Sequence, residues 1–205
     1  MEELIGALER ESARLGGFYE WYNFAQKPPA VPRTASPEQR ALARSARTPL
    51  LRLVVEATVE PLRVEGYRPS LEFERDEEGW VPFAWRAWTM NELGARQSQV
   101  YRDAAIAGYS FVTVVPGEGP DGESMPRIRP VSPRRMYAEW DDPYADEFPI
   151  HAVQDLGGGR YRYFDDESIV EYRVERRRDA NGVEQDHLVQ VGSPVVHGAG
   201  VCPVV

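Results

Sequence analysis

Apolar positions along the chain keep a helical period through its first half and an alternating one through its second. Leu4, Leu8, Leu15, Phe18 and Tyr22 recur every three or four residues and predict a first amphipathic helix, weakened near its end by Gly16 and Gly17. Four prolines between Gln26 and Pro37 predict a stiff extended connector. Ser36, Pro37 and Gln39 then supply a helix start: a capping hydroxyl, a proline at the first position and a side-chain amide to reach back. After Pro49, the run LLRLVVEATVE is apolar nearly all round, which predicts a buried helix ending before Pro61.

Leu62 to Tyr67 and Leu71 to Glu74 read as strands, followed by an acidic turn over residues 76–79. The central stretch comes next. Trp85, Trp88, Leu93, Val100, Ala104 and Ala107 outline the apolar face of a helix, with a break expected at Gly94 and a glycine C-cap at Gly108. Phe111 to Val115 suits a buried strand. A Gly/Pro turn leads to a returning strand carrying Ile128 and Val131, and Ser132-Pro133 predicts a short helical turn.

From there the pattern is strand-like. Met136 to Trp140, Ile150 to Leu156, Arg160 to Phe164, Ser168 to Glu175 and His187 to Val191 form a meander, with hairpin turns at Gly157-Gly158-Gly159 and Asn181-Gly182. Two short apolar runs flank His197-Gly198-Ala199-Gly200. The expected fold class is α+β, a helix-rich N-terminal half packed on a mostly antiparallel β meander. Residues 1–48 are expected to form a helical arm with its Pro-rich connector, and 49–205 an α+β domain. The apolar finish VCPVV is read as continuing into a longer polypeptide.

Composition changes the picture in two ways. A net charge of −9 at pH 7 is ill suited to gripping nucleic acid, which needs a concentrated basic face. A single cysteine, Cys202, allows no intrachain disulfide and fits a reducing compartment. No apolar run approaches the ~20 residues of a membrane-spanning helix.

The search for chemistry is lean. Lys27 precedes Pro28, so no phosphate-binding loop exists, and the short Gly-x-Gly runs read as turns. His151, His187 and His197 lack metal-ligand spacing, and no nucleophile elbow is present. No cofactor and no metal are expected. Paired carboxylates, Glu139 with Asp141 or Asp165 with Glu167, leave a carboxylate-based hydrolase as one alternative. A monomeric adaptor or binding module is the other. The aromatic cluster Phe18, Tyr19, Trp21, Tyr22 and Phe24 reads as core or subunit contact, since no basic residues interleave it as a base-stacking platform would need. Arg40, Arg44 and Arg47 on one helix face, Arg134-Arg135, and Arg176-Arg177-Arg178 near a hairpin tip are the candidate interface residues; of these, all but Arg47 carry the subunit or partner assignment.

The order of segments from Pro49 onward resembles portal proteins of tailed bacteriophages, in particular the siphophage type of actinobacteriophages. LLRLVVEATVEPLRVEGYRP, then Trp85 or Trp88 with Asn91, Leu93, Gly108 and Tyr109, then PRIRPVSPRRMYAEWDD, then HGAGVCPVV follow that family's sequence of motifs. The N-terminal region departs from it: Phe18 to Asn23 holds no glycine where the family has Tyr-Tyr-x-Gly. The resemblance implies a structural, non-enzymatic protein of the virion's portal vertex, assembled in the host cytoplasm. It implies a ring of roughly twelve copies closed by head-to-tail contacts. It further implies the major capsid protein, a head-completion adaptor and the large terminase ATPase as partners, with double-stranded DNA passing through without tight binding and no membrane. On this reading the chain corresponds to the outer wing of such a subunit.

Overall fold

A computed structural model describes residues 1–25, 27, 30–45, 49–66, 83–178 and 184–205. The expected strand at Leu71–Glu74, the acidic turn after it, the Asn181-Gly182 turn and Arg47 fall outside those residues.

Among the described residues five helices precede seven strands. Helix α1 (Glu2–Tyr22) runs through Gly16 and Gly17 unbroken, and buries Leu4, Leu8, Leu15 and Tyr22 on one face. Phe18 and Trp21 face outward, so the aromatic cluster is divided between core and surface. Helix α2 (Pro37–Ser45) starts as expected: the Ser36 backbone N–H donates to Gln39 Oε1 at 2.9 Å, and the Gln39 N–H donates to Ser36 Oγ at 3.2 Å.

Helix α3 (Leu50–Val59) corrects one expectation. Only Val55 and Val59 are buried. Leu50, Leu53 and Val54 are exposed on the opposite arc, and Leu51, one turn before Val55 on the seam's own side, is 40 % exposed at the helix start. The buried seam meets Tyr22, Tyr101 and Ile106, and at 100° per residue Leu50, Leu53 and Val54 turn away from it. The residues after α3 correct another. Leu62–Gly66 is described without strand structure, because the Val64 N–H donates to the side chain of Gln97 at 2.8 Å rather than to a neighbouring strand.

The central stretch is two helices, α4 (Phe83–Met90) and α5 (Leu93–Ala107). The break lies at Asn91–Glu92, ahead of the expected Gly94, with Glu92 in the left-handed region at φ 55°. That conformation costs a non-glycine residue about 1–2 kcal/mol. Asn91 holds the elbow in place. Its buried amide donates to the carbonyls of Ala87 and Pro126, both at 2.8 Å, and accepts from the Ile128 N–H at 2.9 Å. Trp85 and Trp88 are half-buried and stack on each other with centroids 5.9 Å apart. Gly108 closes α5 at φ 91°.

Strand β1 (Phe111–Val115) pairs antiparallel with β2 (Arg127–Val131). Its other edge takes the chain's last residues. Val112 and Val205 exchange both backbone hydrogen bonds, at 2.8 and 2.9 Å, and the Val114 N–H donates to the Pro203 carbonyl at 2.9 Å. Ser132-Pro133 forms a turn closed by the Arg135 N–H on the Ser132 carbonyl at 2.8 Å, not a helical start.

The remaining strands make a sequential antiparallel sheet: β3 (Met136–Glu139), β4 (His151–Gly157), β5 (Arg160–Phe164), β6 (Ser168–Arg178) and β7 (Glu184–Val196). The last two outrun their apolar cores and project as a charged hairpin beyond β5. One core unites both sheets. Phe111, Val131, Met136, Ala138, Ala152, Phe164, Cys202 and Val204 meet there, while Leu4 and Leu8 seat α1 on Val153 of β4. The α+β reading holds, with helices gathered over an antiparallel meander.

Candidate functional site

The groups that could do chemistry are engaged in holding loops. Glu139 meets His151 at 3.0 Å across a strand pair. Asp142 accepts from the Tyr144 N–H at 2.9 Å, and Asp146 accepts from the Asp142 N–H at 2.8 Å, so this acidic loop ties itself together. Asp165 Oδ1 accepts from the Glu167 and Ser168 N–H groups at 3.0 and 2.6 Å. His197 is buried between the Asp165 carbonyl at 3.0 Å, to which Nε2 donates, and the Ala199 N–H, which donates to Nδ1 at 3.2 Å. Burial pushes the Cys202 thiol up to about 12. Among the described residues no group of His, Cys, Asp or Glu is arranged to hold a metal ion. None of their helices is long and apolar enough to cross a membrane.

The molecule's denser polar chemistry is a set of tyrosine joints along α1. Tyr19 donates to Asp103 Oδ1 on α5 at 2.6 Å and lies 3.5 Å from Ser132 Oγ, while the Arg134 guanidinium sits 5.2 Å above its ring. Burial raises both groups, Asp103 above the usual carboxylate range and Tyr19 above the usual phenol range. Tyr22 donates to Glu56 of α3, which also accepts from Arg102 of α5 at 3.0 and 3.2 Å. Arg102 holds the Glu56 carboxyl below its ordinary range. Tyr109 donates to Glu11, whose carboxyl is held low by Arg14 one turn away. These joints lock α1 to α3, α5 and the β2–β3 turn. They are 34 to 113 residues apart in sequence, and no local pattern announces them.

The candidate arginines lie on three separate parts of the surface. Arg40 on α2 donates to the Arg33 carbonyl at 2.9 Å. Arg44 lies further along the same helix. Arg134 covers Tyr19, and Arg135 Nε donates to the Asp155 carbonyl at 3.1 Å. On the projecting hairpin, Arg176 meets Asp186 at 3.3 Å, Arg177 meets Glu175 at 3.0 Å, and Arg178 ends β6. These contacts are exposed and worth little to stability. They position charge on surfaces rather than build a concave centre.

Sequence reasoning missed the outward arc of α3. Leu50, Leu53 and Val54 leave on the order of 300 Å² of side-chain surface in water, within the range of the largest apolar patch on a typical monomer. Leu42 of α2 is 68 % exposed. The signal was present in the sequence: a helix apolar on all sides, next to a helix polar on nearly all.

A family model described as phage portal protein, SPP1 Gp6-like, matches residues 2–205. The portal protein of Mycobacterium phage L5 is 33 % identical over 147 residues, covering 68 % of this chain and 28 % of that protein. The portal protein of Mycobacterium phage D29 is 30 % identical over 147 residues, with the same coverage of each chain. The chain thus spans little more than a quarter of the length of these curated relatives.

Proposed function

The chain belongs to the SPP1 Gp6-like phage portal proteins, and from that membership we propose that it is part of a structural head–tail connector subunit. Copies assemble into a ring of roughly twelve at one capsid vertex, closed by head-to-tail contacts. Double-stranded DNA passes through the ring during packaging and ejection without being held tightly. The net charge of −9 supports that part of the reading, because a conduit with a basic face would retain its cargo.

The observation that carries the proposal is the family match across residues 2–205, whose motif order coincides with structural roles in this fold. Asn91 fixes the α4–α5 elbow, Gly108 caps α5, and the segment from His197 to Val205 completes the β1 sheet. Residues 1–48 serve as an N-terminal arm whose helix α1 is docked back on the 49–205 unit. The 49–205 unit is the wing. Partners are the major capsid protein, a head-completion adaptor and the large terminase ATPase. The protein acts in the virion at the portal vertex and in the host cytoplasm during assembly.

No catalytic role is assigned. The carboxylates that suggested a hydrolase are exposed or spent on loop hydrogen bonds. Electron microscopy of the complete reading-frame product, purified without other phage proteins, tests the reading. Rings with a central opening are expected; a monodisperse monomer at micromolar concentration would overturn it.

A further inference from the structure

The two margins of the five-stranded sheet differ. At one, β3 offers four residues, and Met136 and Ala138 there are buried. At the other, β7 runs for thirteen residues with no strand beyond it among the described residues. The Val174 N–H donates to the Gly159 carbonyl of β5 at 2.8 Å, so alternation along the ladder turns Arg173 and Glu175 towards Val189 and His187 of β7. The backbone groups of Asp186, Leu188 and Gln190 are then left at the open edge. Such an edge is ordinarily blunted by charge, proline or a bulge. Gly192 and Pro194 do this past Val191, but residues 188–191 carry neither charge nor proline.

Apolar side chains flank that edge. Val191 and Val195 lie on the sheet face shared with Glu171 and Ile169, and are 45 % and 61 % exposed. With Val115 across from them they wall an open groove of about 530 Å³, which also holds the Arg162–Glu171 ion pair at 2.6 Å. Unpaired edge groups select an extended strand, and a valine-walled groove takes aliphatic side chains from its alternate positions.

This chain carries a segment with that pattern outside any sheet. Residues 62–66, Leu-Arg-Val-Glu-Gly, lie outside helix and strand and are exposed throughout. The Leu62 N–H donates to the Val59 carbonyl at 3.0 Å and the Val64 N–H to Gln97 at 2.8 Å, whereas no group among the described residues takes the N–H of Arg63 or Glu65. One side of the segment is satisfied within its own copy and the other is open. Within that copy it belongs elsewhere than β7: Gln97 ties it to α5, which packs on α1, α3, α4 and β2, while β7 packs on β6. A strand at one place and a vacant edge at another make a heterologous contact, the kind that repeats from copy to copy and closes into a ring.

We propose that residues 62–66 of one copy add to the open edge of β7 of the next as a further strand. Arg63 and Glu65 exchange backbone hydrogen bonds with that edge, and Leu62 and Val64 enter the valine groove. The proposal rests on the portal reading and names a contact within the ring.

The test uses the complete reading-frame product and native mass spectrometry. Glu65→Pro deletes one N–H from the side of the segment that meets β7 and spares the bond from Val64 to Gln97; Glu65→Ala keeps that N–H. The proline variant is expected to raise the concentration for half-assembly about tenfold with its circular dichroism spectrum unchanged, and the alanine variant to assemble as wild type does. Rings from Glu65→Pro at the wild-type concentration, or an equal loss in both variants, overturn the contact and leave the portal reading intact. A wild-type protein that never forms rings overturns both. A second measurement keeps the backbone whole: Val64→Cys with Val191→Cys, treated with a short bismaleimide, is expected to give a ladder of linked copies that neither single variant gives, since Cys202 is buried. Monomer alone on the denaturing gel, from a protein that forms rings, also overturns the contact.

Discussion

Replacing Tyr19 with Phe removes one oxygen and leaves the ring, with Arg134 above it, in place. The lost hydroxyl donates to Asp103 at 2.6 Å, and Asp103 is 7 % exposed. A buried carboxylate deprived of its donor costs about 1–3 kcal/mol. For a chain of this size that corresponds to a fall in Tm of about 2–12 °C. The pH dependence sharpens the test. Burial raises the Asp103 pKa, and the Tyr19 hydrogen bond opposes that rise because it favours the charged form. Between its unfolded and folded pKa, Asp103 binds more protons in the native state, so its own contribution to stability improves as pH falls through the folded value. Without Tyr19 to favour the charge, that folded value moves higher. The destabilisation by Tyr19→Phe is therefore largest above the Asp103 pKa and shrinks on acidification. Urea denaturation of both proteins at a series of pH values reads it directly, and taking the difference between them cancels the acid losses at Glu11 and Glu56. A difference that is absent at neutral pH, or that grows as pH falls, would refute the account of this joint.

Other outcomes follow from the same geometry. Asn91→Ala leaves the Ile128 N–H and the Pro126 carbonyl without their partner and is expected to cost about 2–4 kcal/mol in denaturant titration. Gly108→Ala forces a side chain onto a φ of 91° and is expected to cost about 1 kcal/mol, whereas Gly94→Ala, inside α5 and clear of the break, is expected to add about 0.5–1 kcal/mol. A Gly94→Ala protein less stable than wild type would return the helix break to Gly94. Cys202, its thiol pushed up to about 12 by burial, is expected to resist Ellman's reagent in the native state and react on unfolding. Prompt labelling of the folded chain would contradict its place in the core.

The parts of this fold that were legible in the sequence are those specified within a few residues. The period of α1, the Ser36–Gln39 capping box, the C-cap at Gly108 and the triple-glycine hairpin each depend on neighbours along the chain. Errors arose where a distant group intervened. Gln97 takes the Val64 N–H that a strand would have used, and Asn91 fixes the helix break that the glycine pattern put elsewhere. The buried positions of α5 are Gln97 and Asp103, because tyrosine and backbone partners from other elements satisfy them there. The candidate surfaces were half legible. The arginines were visible as charge, but the outward leucines of α3 were assigned to the core, since an all-apolar helix does not say which side its own chain will cover.

The central claim is that this chain is part of a ring-forming portal subunit. Cryo-electron microscopy of the complete reading-frame product, with two-dimensional class averages sorted by rotational symmetry, tests it most directly. The account predicts closed rings of roughly twelve subunits around an open axis, in which the residue 1–205 fold is recognisable in every subunit. Monodisperse monomers or two-fold dimers under the same conditions would contradict it.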